Sequence, residues 1–148
     1  MTFGEVIDGI GTNLGLELVD EVGAAAEQYD VNAVILQMAS DDLLLIHADI
    51  GEIPPENRDR VHAAAMEANF LYQGTGGATL AVDPNSGHLH LQKYNWLDRL
   101  DVEKAMTSLT RFADTVNTWK GLVAETISSA SAESDVPSMP THGGFMQV

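Results

Sequence analysis

The sequence predicts an α+β fold in which three helices surround a mostly antiparallel five-stranded sheet, in the order α-β-β-β-α-β-β-α. Three observations lead there. Two pairs of apolar runs are separated by hairpin-length gaps, which makes their strands antiparallel neighbours. Long stretches near the start and end of the chain carry apolar residues at helical spacing. Between the hairpins, Pro54-Pro55 interrupts the extended pattern and opens a third amphipathic stretch, proline being tolerated in a first helical turn where its missing N–H is not needed. Strands grouped in hairpins and flanked by helices define the α+β class.

The first helix is expected from Phe3 to Leu14. Thr2 and Glu5 form a Thr-x-x-Glu capping box, Phe3, Val6, Ile7, Ile10 and Leu14 share one face, and Gly15 supplies the left-handed cap. A short strand is assigned to Ala24–Tyr29. The first hairpin pairs Ala33–Ala39 with Asp42–Ala48 around Ser40-Asp41, which sets Met38 against Leu43, Leu36 against Leu45 and Val34 against His47. Both faces of that hairpin are apolar. In the second helix Val61, Ala64, Ala65, Ala68 and Leu71 make one stripe, and His62, Met66, Asn69 and Phe70 make another. Two such stripes on one helix imply two different contacts.

Ala78–Asp83 and His88–Tyr94 form the second hairpin around Pro84-Asn85-Ser86-Gly87, a strong turn signal. Leu80 and Val82 then pair with Leu91 and Leu89, while Thr79, His88, His90 and Gln92 face away. Asp101 caps the last helix, whose stripe runs through Val102, Ala105, Met106, Leu109, Phe112, Val116, Trp119, Val123 and Ile127. Residues 1–127 therefore make one domain. From Ser128 the composition turns to Ser, Ala, Pro, Gly and Thr, and residues 128–148 are expected to form a disordered tail.

Composition narrows the function. The formal charge is −15, from 22 acidic and 7 basic residues, a balance that repels phosphate backbones and argues against nucleic acid as a partner. Such acidity keeps a protein soluble and could also keep an apolar binding surface from self-association. There is no cysteine, in keeping with a reducing compartment. No apolar run approaches the roughly 20 residues of a membrane helix, and the first residues carry neither a basic region nor a cleavage site, so no membrane insertion and no signal peptide are expected.

Chemical motifs are sparse. His88-x-His90 places two imidazoles on one side of a strand, but the hairpin register brings only Asp83 near them, short of the three protein ligands a metal site needs. Gly74-Thr75-Gly76-Gly77 resembles a phosphate loop in composition only. It lies between a helix and a strand rather than before a helix, and no lysine follows until Lys93. Asp41-Asp42 and Glu52 could do acid–base work in principle, although turn formation explains the aspartates more simply. His47 sits among apolar neighbours as a core residue would. No catalytic, cofactor or metal residue is assigned, and no enzyme activity is expected.

The run Leu43-Leu44-Leu45-Ile46-His47-Ala48-Asp49-Ile50-Gly51-Glu52-Ile53-Pro54 resembles a strand followed by a Leu-Gly-Glu-Leu-Pro-like turn, with Ile50 and Ile53 in the leucine places. Met66-Glu67-Ala68-Asn69-Phe70 resembles a helix ending in an Ala-Asn pair. Gly76-Gly77-Ala78-Thr79-Leu80-Ala81-Val82-Asp83 and Leu89-His90-Leu91 resemble the two strands that follow, and a late Trp119 fits the final helix. In this order the motifs resemble the class I type III secretion chaperones, the family named for the Tir chaperone CesT, over roughly Phe3 to Ile127. The Ala24-Ala25-Ala26 strand is blander than the family's, and the tail is longer.

The resemblance implies a homodimer in the bacterial cytoplasm, without nucleotide or metal. Its implied role is to hold an unfolded, extended chaperone-binding segment of a secreted effector soluble and competent for export, with secretion-apparatus components as further partners. An extended segment would add a strand to an open sheet edge and seat apolar side chains in pockets. The expected cargo residues are Phe3, Ile7 and Ile10 on the first helix and Leu36, Met38, Leu43 and Leu45 on the hairpin. The expected dimer residues are His62, Met66 and Phe70, with Trp96. Two other readings are a non-secretion adaptor of the same fold and a small metal-dependent hydrolase built on His88 and His90.

Overall fold

A computed structural model describes residues 1–15, 24–26 and 34–134, and gives the backbone alone at 24–26, 34–39 and 130–134. The elements are α1 (Phe3–Leu14), β1 (Ala24–Ala26), β2 (Val34–Ser40), β3 (Leu43–Glu52), α2 (Arg58–Asn69), β4 (Thr79–Val82), β5 (His88–Trp96) and α3 (Val102–Ser134). Among the described residues every strand pair is antiparallel, in the spatial order β1-β2-β3-β5-β4.

Local chemistry sets the helix ends. In α1 the capping box is formed: Glu5 N–H donates to Thr2 Oγ1 at 3.3 Å, and Thr2 N–H donates to Glu5 Oε2 at 2.7 Å. Those donors hold the Glu5 carboxyl below its ordinary pKa. Gly15 closes the helix in the left-handed region at φ 67°. At the other end of the chain, Lys104 N–H donates to Asp101 Oδ1 at 2.8 Å, which caps α3 as the sequence predicts.

One face of the sheet and the three helices enclose the core. Phe3, Val6, Ile7 and Ile10 of α1 meet Leu44, Ile46, Ala48 and Ile50 of β3, Leu89 and Leu91 of β5, Leu80 of β4, and the Ala105–Val123 stripe of α3. Each fully buried Leu or Ile stabilises the fold by about 1.5–3 kcal/mol through apolar surface removed from water. Alternation along β3 is strict, with Leu44, Ile46 and Ala48 buried and Leu43, Leu45 and His47 half-buried on the other face.

Four expectations need correction. The first hairpin turns at Asp41-Asp42, so Ser40 opposes Leu43, Met38 opposes Leu44 and Leu36 opposes Ile46. Ser40-Asp41 lacks the residues that reach the positive φ of a tight primed turn, and the chain instead shifts register between Met38 and Ser40. Second, a single 3₁₀ turn, Pro55–Asn57, precedes α2. Third, α2 ends at Asn69, and Leu71 leaves the apolar stripe to become exposed at φ 52°, followed by Tyr72 at φ 56°. Fourth, α3 continues through Ser134, past the expected start of the tail at Ser128. Its Ser-Ala-Glu composition has no proline before Pro137 to stop the helix. Residues 27–29 of the expected first strand and 135–148 of the expected tail lie outside the described residues.

The second hairpin has the predicted register, Leu80 against Leu91 and Val82 against Leu89. Its face with Thr79, His88, His90 and Gln92 is half-buried rather than wet, because β3 lies on the far side of β5 and covers part of it.

Candidate protein-binding surfaces

Two exposed apolar surfaces stand out on the subunit. The first is built by the end of α2. Asn69 is the last helical residue, and its side-chain amide bonds the backbone of Leu80 twice: Nδ2 donates to the Leu80 carbonyl at 3.0 Å, and Oδ1 accepts from the Leu80 N–H at 2.9 Å. The amide thus substitutes for a neighbouring strand along the edge of β4 and ties α2 there. Beyond it the chain reverses sharply, and Gly74 N–H donates to the Ala68 carbonyl at 3.1 Å. Gly74 has to be glycine, since a Cβ there would lie 2.7 Å from that of Ala68. The reversal leaves Phe70 at 67% exposure, Leu71 at 69% and Tyr72 at 56%, beside Met66, which is 74% exposed on α2 itself. Beside them, His62, Ala65, Met66 and Asn69 line an apolar cleft of ≈ 250 Å³ against Leu80, Val82 and Leu89.

The second surface lies on the sheet face away from the helices. Leu43 opposes Trp96, and Leu45 opposes Tyr94, on adjacent strands. Trp96 is 52% exposed and Tyr94 55%. Cross-strand pairs of this kind sit about 4.5–5.5 Å apart between Cβ atoms, so the four side chains form one patch. Past them the face turns polar. His47, half-buried, has its pKa lowered by burial and by His90. His88 Nδ1 meets Asp49 Oδ2 at 2.7 Å, and this bond raises the His88 pKa.

The expected site residues divide accordingly. Phe3, Ile7 and Ile10, expected as cargo contacts, are buried within the single subunit, where the sheet fills the apolar stripe of α1. Leu43 and Leu45 keep accessible surface. Leu36 and Met38 lie in register with buried Ile46 and Leu44, one residue off the predicted pairing, and the description there is of the backbone. Met66 and Phe70 are open, and His62 is half-buried beside Met66. Trp96, the fourth expected dimer residue, stands five residues along β5 from Leu91, the partner of Leu80, or roughly 17 Å from that position at the usual rise per residue. Its neighbours are Leu43 and Leu45.

Sequence reasoning missed Tyr72 and Tyr94, and it missed Asp49 as the partner of His88. Asp83, predicted opposite His88, spends its carboxylate within the turn, accepting from Asn85 N–H and Ser86 Oγ at 2.9 Å each. Those bonds lower its pKa. Among the described residues no group of three or more His, Asp or Glu side chains is placed to hold a metal, and no helix is long and apolar enough to cross a membrane.

These features define a small α+β module that leaves apolar surface uncovered at two places. The family model of the Tir chaperone protein (CesT) family matches residues 5–120, and the chain belongs to that family, a family of chaperones. Similar solved structures include the HopA1–SchA chaperone–effector complex, at 16% identity and TM-score 0.64, covering 80% of this chain and 93% of that one. The heterodimeric ExoU–SpcU complex from the type III secretion system of Pseudomonas aeruginosa matches at 16% identity and TM-score 0.63, covering 81% and 95%. The ExoT–SpcS complex of the same organism matches at 21% identity and TM-score 0.61, covering 77% and 93%. At these identities the likeness is one of fold. No curated protein sequence matches the chain.

Proposed function

We propose that this protein is a cytoplasmic type III secretion chaperone, acting as a homodimer that holds an extended, unfolded segment of a secreted effector soluble and export-competent. The observation that carries the reading is the presence of two separate apolar surfaces on one acidic subunit, about Met66–Tyr72 and about Leu43, Leu45, Tyr94 and Trp96. One surface would serve a single contact. Two, on different elements, suit a protein that binds both itself and another chain. Contiguous exposed apolar patches of this sort mark interaction sites on soluble proteins.

The α2 surface is assigned to the dimer. Leu71 and Tyr72 adopt left-handed conformations that cost non-glycine residues about 1–2 kcal/mol each, and burial of their side chains against a second copy would offset that cost. The sheet face and the edge beside it are assigned to cargo. Among the described residues β1 pairs with Val34, Ile35 and Leu36 of β2, and a cargo strand added at a sheet edge would gain affinity for many sequences through main-chain pairing. Several solved relatives of this fold are chaperone–effector or secretion-system complexes, in keeping with this reading.

Met66→Glu combined with Phe70→Glu tests the dimer. Sedimentation is expected to turn from dimer to folded monomer, and an unchanged dimer removes the assignment. Co-expression with a secreted effector, followed by limited proteolysis, tests the cargo role. The expected product is one protected, extended effector segment whose retention falls with Leu45→Asp; retention at the wild-type level moves the cargo off this face.

A further inference from the structure

A third site lies on the opposite side of β5. Lys93 has the parity of buried Leu89 and Leu91 and is in register with buried Ile46, so this lysine stands on the core-facing side of the strand. There it lines a cavity of ≈ 340 Å³ between β5 and α3, with Asp101, Glu103, Lys104, Thr107, Ser108 and Arg111 around it. The chain has only 7 basic residues, and three of them meet in this cavity.

The charges there do not balance locally. Asp101 is already engaged, capping α3 and pairing with Lys104 at 3.0 Å. Glu103 stands eight helical residues from Arg111, or about 12 Å along the axis. Among the described residues, no carboxylate pairs with Lys93 or Arg111. Lys93 is half-buried, and its pKa is lowered first by burial and then by the like charge of Arg111. A half-buried cation beside a second cation is costly unless an anion joins them. Hydrogen-bond donors are in excess as well. Ser108 Oγ donates to Asn95 Oδ1 at 3.1 Å, while the buried Asn95 Nδ2 has no acceptor. The Gly74–Gly77 loop comes up against the ammonium, since a Cβ on Gly77 would lie 4.0 Å from Lys93 Nζ. The lysine that the loop lacks in sequence is thus beside it in space, supplied by β5.

We infer that the β5–α3 cavity is an oxyanion site, centred on Lys93 and Arg111, that takes the carboxylate of an acidic side chain on a bound polypeptide whose extended chain passes from the outer sheet face round to the helical side of the sheet. The carboxylate fits because Arg111 offers a planar fork and Lys93 a point charge from a second direction. The site gives selectivity to a protein whose other contacts are apolar or main-chain. On a chain of net charge −15, few places favour an acidic side chain, so a basic pocket also helps to fix the register in which a segment lies. This inference rests on the polypeptide-binding role proposed above.

The test is selection of a displayed random 16-residue peptide library on the full-length protein, repeated on Lys93→Gln and on Arg111→Gln. The second variant changes an exposed helix position and guards against loss of fold in the first. The expected result is apolar residues with one Asp or Glu at a constant spacing, and loss of the acidic preference in both variants while the apolar pattern persists. A synthetic winner with its acid changed to Gln should bind wild type roughly threefold to tenfold more weakly, and the variants with no difference. Peptides selected without an acidic preference, or with one that survives both substitutions, overturn the oxyanion site and leave the chaperone reading standing. Failure to select any peptide removes that reading and this one with it.

Discussion

Replacing Asn69 by alanine tests how the α2 surface is built. The substitution removes both bonds to Leu80 and leaves a backbone N–H and C=O without partners at the edge of β4. A buried group left unsatisfied costs about 1–3 kcal/mol. Since this contact is only part-buried, water can replace part of it, so the lower half of that range applies to each group. Alanine's better helix propensity returns a few tenths of a kcal/mol at most at a helix end. The net loss is roughly 2–3 kcal/mol. At a specific unfolding entropy of about 2.1 cal/mol/K per residue, 148 residues give about 0.3 kcal/mol/K, so Tm should fall by roughly 6–10 °C. Differential scanning calorimetry at fixed protein concentration reads this directly. Asn69→Asp sharpens the test, because it keeps the acceptor for Leu80 N–H and sets a carboxylate against the Leu80 carbonyl. Its stability should improve as pH falls and the carboxyl gains a proton to donate. Melting of both variants within about 1 °C of wild type would refute the idea that this amide closes the sheet edge and positions the α2 surface.

Two further outcomes follow from the core and the polar face. Ile7→Ala should lower stability by about 2–4 kcal/mol in urea unfolding, and Ile7→Asp should unfold the protein, because the site is sealed within the subunit; a folded Ile7→Asp protein would return Ile7 to the cargo surface. Asp49→Asn should move the His88 titration, followed by proton NMR, to lower pH. Because the His88 pKa is raised in the folded state, the pair stabilises the fold below the ordinary histidine pKa, and that contribution is lost as pH rises through the raised value. The stability gap between wild type and Asp49→Asn should accordingly widen from pH 8 down to pH 6, and an unshifted His88 titration would exclude the pair.

Much of the architecture was legible because it depends on near neighbours. The Thr2–Glu5 box, the Asp101 cap and the Pro84–Gly87 turn each close within a few residues, and periodicity identified the buried stripes of α1 and α3. The same local signals could not separate core from surface on α1. An apolar stripe looks alike whether its own sheet or another chain covers it, so the burial of Phe3, Ile7 and Ile10 against the sheet was not legible in the sequence.

By itself, then, the sequence determined the order of elements, the antiparallel pairing within the second hairpin and the supply of more apolar stripes than one core consumes. Only the tertiary structure decided which stripes remain open, since that depends on the β3–β5 neighbourhood and on where Asn69 anchors α2. It also decided the company of the polar groups: His88 with Asp49, Trp96 with Leu43, and Lys93 with Arg111 across a cavity. Charges and apolar side chains act through distances of a few ångströms, and residues far apart in the chain come within that range only when it folds.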